Sequence, residues 1–253
     1  MNIIGFSTIL EQEVRRIIRV IWQTIVSPVV SASLYFLVFG SALGDRIDSI
    51  DGVKYIQFIV PGLIMMNVLM NAFSNASFTL YMARFQGTIK EILASPISYF
   101  ELVSAYTIAS VFRAVLTGVI IWIIALIFTS IPVFNFAFVI LFLILVSLTF
   151  AVFGIIVGLT AKDFNSVNLI PIFAITPLSF LGGVFYSVNM LPPVLKTISH
   201  FNPVFYMIDG LRYGFFGTSS VNPWASVGIV CAFLAAFTVA AWYLFRIGYK
   251  LKD

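Results

Sequence analysis

Six apolar runs, each roughly as long as a bilayer-crossing helix, are separated by short polar breaks and fill most of this sequence. A helix rises about 1.5 Å per residue, so about 20 apolar residues cross the roughly 30 Å hydrocarbon layer of a membrane. In lipid each backbone N–H and C=O must be satisfied within the segment, which an α-helix does. The runs cover Thr24–Leu43, Tyr55–Met82, Val103–Phe128, Phe136–Leu159, Val167–Val184 and Pro223–Phe245. Charged residues make up 9% of the chain, against about a quarter in soluble domains. The expectation is an all-α integral membrane protein with six transmembrane helices, forming a single domain over residues 1–253.

The polar breaks carry the topology. Arg15, Arg16, Arg19, Arg84, Lys90, Lys162, Arg246, Lys250 and Lys252 fall on one side of the six-span arrangement, and Arg46, Lys54, Lys196 and Arg212 on the other. Cytoplasmic loops hold the excess of Lys and Arg, so both termini are expected in the cytoplasm. The net charge of +4 is therefore explained by span flanks and does not call for nucleic acid. Met1–Leu10 has neither a basic start nor an apolar centre, so no cleavable signal peptide is expected there.

Ahead of the first run, Phe6–Gln23 reads as an amphipathic helix. Val14, Ile17, Ile18, Ile21, Trp22 and Ile25 recur at helical spacing, and Gln12, Arg15, Arg16, Arg19 and Gln23 fill the other face. A basic face opposite an apolar one, with Trp22 near its end, suits a helix lying in the membrane interface. Between spans 2 and 3, Ala83–Glu101 is the one break on the same side that can hold a compact helix. Gly87 and Thr88 start it, Glu91 stands three residues after Thr88 as in a capping box, and Ser95-Pro96 ends it. Ile89, Ile92 and Leu93 give it an apolar face, while Lys90 and Glu91 look outward. Such a helix is shaped to dock into a partner, or it is an ordinary loop with a helical turn.

Phe185–Asn222 contains two apolar stretches, Val194–Phe201 and Val204–Phe216, both introduced by prolines and both too short to span. Either they form a hairpin re-entering the outer leaflet, buried by protein, or they cap the surface. Asp209 and Arg212, three apart on the second stretch, can pair and order this gate. Within the spans, Arg113 lies near mid-membrane, where a charge is costly and marks either function or structural pairing. Asn67, Asn71 and Asn75 form one polar stripe along span 2, which fits helix packing, a cargo path or a dimer seam. The single cysteine, Cys231, in an apolar run, reads as packing, and His200 has no companion at metal-ligand spacing.

The order of parts, and the segments QFIVPGLIMM (Gln57–Met66), EILASPIS (Glu91–Ser98), TPLSFLGGVFYSVNMLPP (Thr176–Pro193) and HFNPVFYMIDGLRYGFFG (His200–Gly217), resemble the membrane subunit of type-2 ABC transporters, and among them the YadH-type permeases of Gram-negative bacteria. That resemblance implies an N-terminal amphipathic interface helix, a cytoplasmic coupling helix and external re-entrant helices. It implies an exporter of the bacterial inner membrane that moves a lipid, glycan or hydrophobic small molecule. It further implies a homodimer working with two copies of a separate ABC ATPase. In this reading Thr88, Ile89, Lys90, Glu91, Ile92 and Leu93 contact the ATPase. Arg15, Arg16, Arg19 and Trp22 sit on the lever-like interface helix. The chain has no G-x-x-x-x-G-K-[ST] loop, so ATP and Mg²⁺ are expected on the partner and no cofactor on this chain. An ion-coupled secondary transporter is the alternative. It would predict acidic groups inside the spans, and no carboxylate falls at mid-depth. An integral-membrane enzyme would need a converging cluster of His, Asp, Glu or Cys, which the sequence does not offer.

Overall fold

The computed structural model describes residues 2–42 and 49–249, apart from the side chains of residues 41, 42 and 93. Arg46, Lys250 and Lys252, with the rest of residues 43–48, therefore lie outside the described residues. Helix α1 (Ile3–Arg19) is followed by α2 (Ile21–Ala42) and a two-residue ribbon, Ser49–Ile50 against Val53–Lys54. Then come α3 (Tyr55–Phe85), α4 (Thr88–Ala94), α5 (Tyr99–Phe128) and α6 (Phe136–Thr160). The fifth apolar run is a composite: α7 (Phe164–Ile170), a π-helical turn (Pro171–Ile175) and α8 (Thr176–Leu181). Pro171 removes a backbone donor inside that helix, and wide π turns gather at such interruptions. After α9 (Pro193–Phe201) and α10 (Pro203–Phe216), α11 (Pro223–Arg246) ends the bundle. Six of these segments are long and apolar enough to cross a membrane: α2, α3, α5, α6, the α7–α8 composite and α11.

Helices α3 and α6 form the central pair. They are mostly buried, whereas α2, α7–α8 and α11 keep most of their apolar surface open at the periphery. Gly154 and Gly158 sit one turn apart on α6 and face the backbone of Phe73 and Ser77 on α3. Small residues at that spacing let two helices approach closely where lipid gives no hydrophobic drive for association. Arg84, at the end of α3, donates to the carbonyls of Gly158, Leu159 and Ala161 at 3.0, 2.6 and 3.3 Å. A cation there satisfies the orphan carbonyls at the end of α6.

The chain reverses at alternate ends of the bundle. α4 joins α3 to α5 at one end, which carries Phe85 and the start of α5. At the other, the α5–α6 turn meets α10: the N–H groups of Phe134 and Asn135 donate to the carbonyls of Phe215 and Gly214 at 3.0 and 2.8 Å. Helix α10 is short but almost wholly buried among α3, α6, α8 and α11. Asn202 fixes its start, accepting from the Val204 N–H and donating to the Leu178 carbonyl at 2.6 Å.

Several expectations shift in detail. The amphipathic helix runs Ile3–Arg19 instead of Phe6–Gln23, because the backbone breaks at Val20 (φ −104°, ψ 24°). Trp22 belongs to the next helix and points outward, 77% exposed. The inward stripe of α1 is Ile9, Glu13 and Ile17, so Ile18 faces out. α4 has no capping box: its N-cap is Gly87 in the left-handed conformation, with no side-chain cap. The capping box lies one element later, where Ser98 and Glu101 start α5. Cys231 is exposed on α11, not packed.

Candidate functional site

Helix α1 lies along α5, tied down at both ends. At its start the Glu101 carboxylate accepts from the Asn2 N–H at 2.5 Å and from the Ser98 N–H at 2.9 Å. The Asn2 side chain caps α1 through the Gly5 N–H and donates to the Pro96 carbonyl at 3.3 Å. One buried carboxylate therefore joins the beginning of α1, the loop leaving α4 and the beginning of α5. Glu101 falls within the stretch marked out as Ala83–Glu101, and its signal, the capping-box pattern Ser98-x-x-Glu101, was missed in favour of Thr88-x-x-Glu91.

At its other end α1 delivers Arg16 into the bundle. Arg16 lies 2.7 Å from Glu13 on its own helix. It donates to the Thr79 hydroxyl and, at 3.5 Å, to the side-chain oxygen of Asn75. Arg113 of α5 donates to the same Asn75 oxygen at 3.1 Å, and the Asn75 amide N–H donates to the Ser110 hydroxyl at 2.9 Å. The Ser110 hydroxyl in turn donates to the Tyr106 carbonyl at 2.8 Å. Three of the sequence-marked residues, Arg16, Asn75 and Arg113, are thus one network crossing α1, α3 and α5. Glu13, Thr79 and Ser110 complete it and were missed, since nothing in their spacing links them. Burial pushes the Glu13 carboxyl above its ordinary range, and the neighbouring Arg16 opposes that only in part.

Asn67 and Asn71 do not join. Their amides donate back to the carbonyls of Leu63 and Asn67, one turn earlier on α3. The stripe therefore divides into one networked residue and two that bond their own helix.

Nor do Asp209 and Arg212 form the expected ion pair. Asp209 accepts from the Ser220 N–H at 2.9 and 3.0 Å and from the Val221 N–H at 3.2 Å. Arg212 donates to the Gly183 carbonyl at 2.9 Å and stacks 3.9 Å over the Phe58 ring. Each side chain clasps a different neighbouring segment to α10. Backbone donors within reach of Asp209 stabilise it better than a partner on the next helical turn would.

The proposed docking surface changes most. Ile89 is 2% exposed and belongs to the chain's own core, and Ile92 is partly buried against that core. Ile89 and Ile92 thus anchor α4 to its own bundle. Lys90 and Glu91 are exposed, as are Phe85 (75%) and Gln86 before α4 and Phe100 at the start of α5. Thr88 is half-buried, and the Leu93 side chain lies outside the described residues. On α1, Arg15 pairs with Glu11 at 2.5 Å on the outer surface, and Arg19 is exposed.

Comparison with known proteins agrees with this architecture. The ABC-2 type transporter family matches residues 5–216. The chain is 39% identical over 250 residues to the inner membrane transport permease YadH of Escherichia coli K12, covering 99% of this chain and 98% of that one. It is 26% identical over 206 residues to nodulation protein J of Rhizobium leguminosarum bv. viciae, covering 79% and 78% of the two chains. The corresponding protein of Rhizobium meliloti strain 1021 is 24% identical over 201 residues. With six apolar helices, a family match over most of its length and a full-length permease relative, the chain belongs to the ABC-2 type transporter family.

Proposed function

We propose that this chain is the permease subunit of an ATP-driven exporter of the bacterial inner membrane, a non-enzymatic half that pairs with a second copy and with two ABC ATPase chains. ATP and Mg²⁺ are held by the ATPase, and cargo (a lipid, a glycan or a hydrophobic small molecule) passes between the two copies. In this reading α1 is the interface helix, α4 the coupling helix facing the cytoplasm, and α9–α10 the re-entrant pair at the outer side. Burial of α10 on all sides supports the last assignment, because non-spanning backbone is tolerated at membrane depth only inside protein.

The observation that carries the proposal is the knot at Glu101. A short helix anchored by Ile89 presents Lys90 and Glu91 outward, and its exit loop is bonded through Pro96, Ser98 and Glu101 to Asn2, the cap of α1. Motion imposed on α4 by an ATPase is thereby transmitted to α1 and α5 together. Asn75, Arg16 and Arg113 stand at the far end of that connection, where cargo enters. Asn67 and Asn71 serve packing along α3.

The test is co-purification of the detergent-solubilised chain with a co-expressed ABC ATPase, comparing wild type with Glu91→Arg and Lys90→Glu. Both positions are exposed, so neither change disturbs the fold. The ATPase should be retained by wild type and lost or much reduced with either reversal. Retention that is indifferent to both reversals would remove α4 from the interface. Failure of any ABC ATPase to associate with wild type would overturn the permease reading and restore the ion-coupled transporter.

A further inference from the structure

Beside Asn75 the helices leave a cavity of about 380 Å³, open between α1, α2, α3, α5 and α7. Two guanidiniums enter it, and both spend an N–H on the same neutral amide oxygen. An amide oxygen has two lone pairs and no charge, so it orients Arg16 and Arg113 and neutralises neither. Glu13 offsets Arg16 at 2.7 Å. Arg113 has no carboxylate within ion-pair distance among the described residues, and its Nε is buried without a hydrogen-bond partner. Arg113 is half-buried among apolar helices, and a cation so placed without a counter-charge is costly unless something supplies one.

The rest of the lining points the same way. Ser74 and Asn75 of α3 border the same cavity. Asn168 and Gln23 stand exposed at its rim. Among the described residues the lining includes no carboxylate, and Glu13 is already engaged on Arg16. The site offers a surplus of donors and one uncompensated positive charge, and guanidinium forks match the paired oxygens of a phosphate. The volume is at the small end for a ligand site, suited to a headgroup and not to a whole lipid.

We propose that this cavity binds an organic phosphate group through Arg113 and Arg16. The phosphate belongs either to a bilayer lipid or to phosphorylated cargo. The proposal rests on the permease reading only in treating the bound group as cargo; binding itself needs no ATPase. The experiment titrates the purified chain, in an uncharged detergent, with glycerol 1-phosphate and separately with dihexanoyl phosphatidic acid, using dihexanoyl phosphatidylcholine as the zwitterionic control. Binding of one or both phosphate monoesters, and not of the control, is expected. Binding of the lipid probe alone identifies a lipid headgroup; binding of both identifies a water-accessible phosphate site open to cargo.

Arg113→Gln should weaken binding roughly ten- to hundredfold, the effect of removing a charged hydrogen-bond donor, and Arg113→Lys should recover part of it. Asn168→Asp places a negative charge at the exposed rim, outside the network, and should weaken binding while leaving thermal stability unchanged. The proposal is overturned if neither phosphate probe saturates wild type, or if Arg113→Gln and Asn168→Asp both bind as wild type does. Loss of ATPase co-purification with phosphate binding intact would defeat the permease reading and leave the site standing. The opposite result would remove the site alone.

Discussion

Replacing Gly158 by alanine should loosen the central helix pair. A Cβ built at Gly158 falls 2.5 Å from the Ser77 carbonyl oxygen, 3.1 Å from Ser77 Cα and 3.2 Å from Leu80 Cβ. Contacts under 3.0 Å are not tolerated and ordinary contact begins at 3.4 Å, so α3 and α6 must shift apart locally. The obstacle is backbone, not the end of a flexible side chain, and it cannot swing away. Overpacking of this kind costs about 1–3 kcal/mol. For a chain of this size that is about 2–4 °C in Tm per kcal/mol. Gly154→Ala meets the Phe73 carbonyl at the same 2.5 Å and should behave alike. Because the two sites are one turn apart, the double substitution should cost less than the sum, since α3 needs to move only once. Gly228→Ala on α11 is the matched control: nothing lies within 4 Å of its Cβ, and alanine is the better helix former by about 0.5–1 kcal/mol. It should leave Tm unchanged or raise it. The assay is thermal unfolding of purified variants in one detergent. A Gly158→Ala protein as stable as wild type, or a Gly228→Ala protein equally destabilised, would refute the reasoning.

Other outcomes follow from individual contacts. Glu101→Gln keeps one acceptor and loses the charge that holds Asn2 and Ser98; at about 1 kcal/mol, amide exchange at the start of α1 should quicken roughly fivefold. Arg84→Gln strips the carbonyls at the end of α6 of their donor and should cost about 1–3 kcal/mol, read as a lower Tm. Glu13 has a folded pKa raised above 4.5 by burial, so the native state binds a proton more tightly than the unfolded chain. That contributes stability at low pH that is lost as pH rises through the folded value. Glu13→Gln should therefore have its most favourable Tm relative to wild type at neutral pH, and the advantage should shrink toward pH 4.5; the opposite trend would mean that the Arg16 pair outweighs burial.

The six spans, the short helix after α3 and the two proline-led helices were legible because apolar run length and proline position act locally. Pro193 and Pro203 open α9 and α10 as their fixed backbone angle favours. What the sequence hid was direction. Hydrophobicity says that Ile89 is buried, but not that its own bundle does the burying. The arginines of α1 read as one polar face until tertiary contact turns Arg16 inward, because a buried amide and a hydroxyl on a distant helix cannot be seen from spacing. The Asp209–Arg212 spacing suggested a pair, and the neighbouring backbone won each side chain separately. Span 5 gave its prolines openly, yet whether Pro171 would kink, end or widen the helix depended on packing against α3.

The central claim is that α4 meets an ATPase and α9 lies on the opposite side of the membrane. A photo-crosslinking amino acid at Lys90, exposed on α4, and separately at Val194, 71% exposed on α9, tests it in the intact complex. The account predicts an adduct of the mass of this chain plus one ATPase from position 90, changing in yield on addition of ATP and Mg²⁺, and none from position 194. An adduct from position 194, or none from position 90 in a complex that still contains the ATPase, would contradict it.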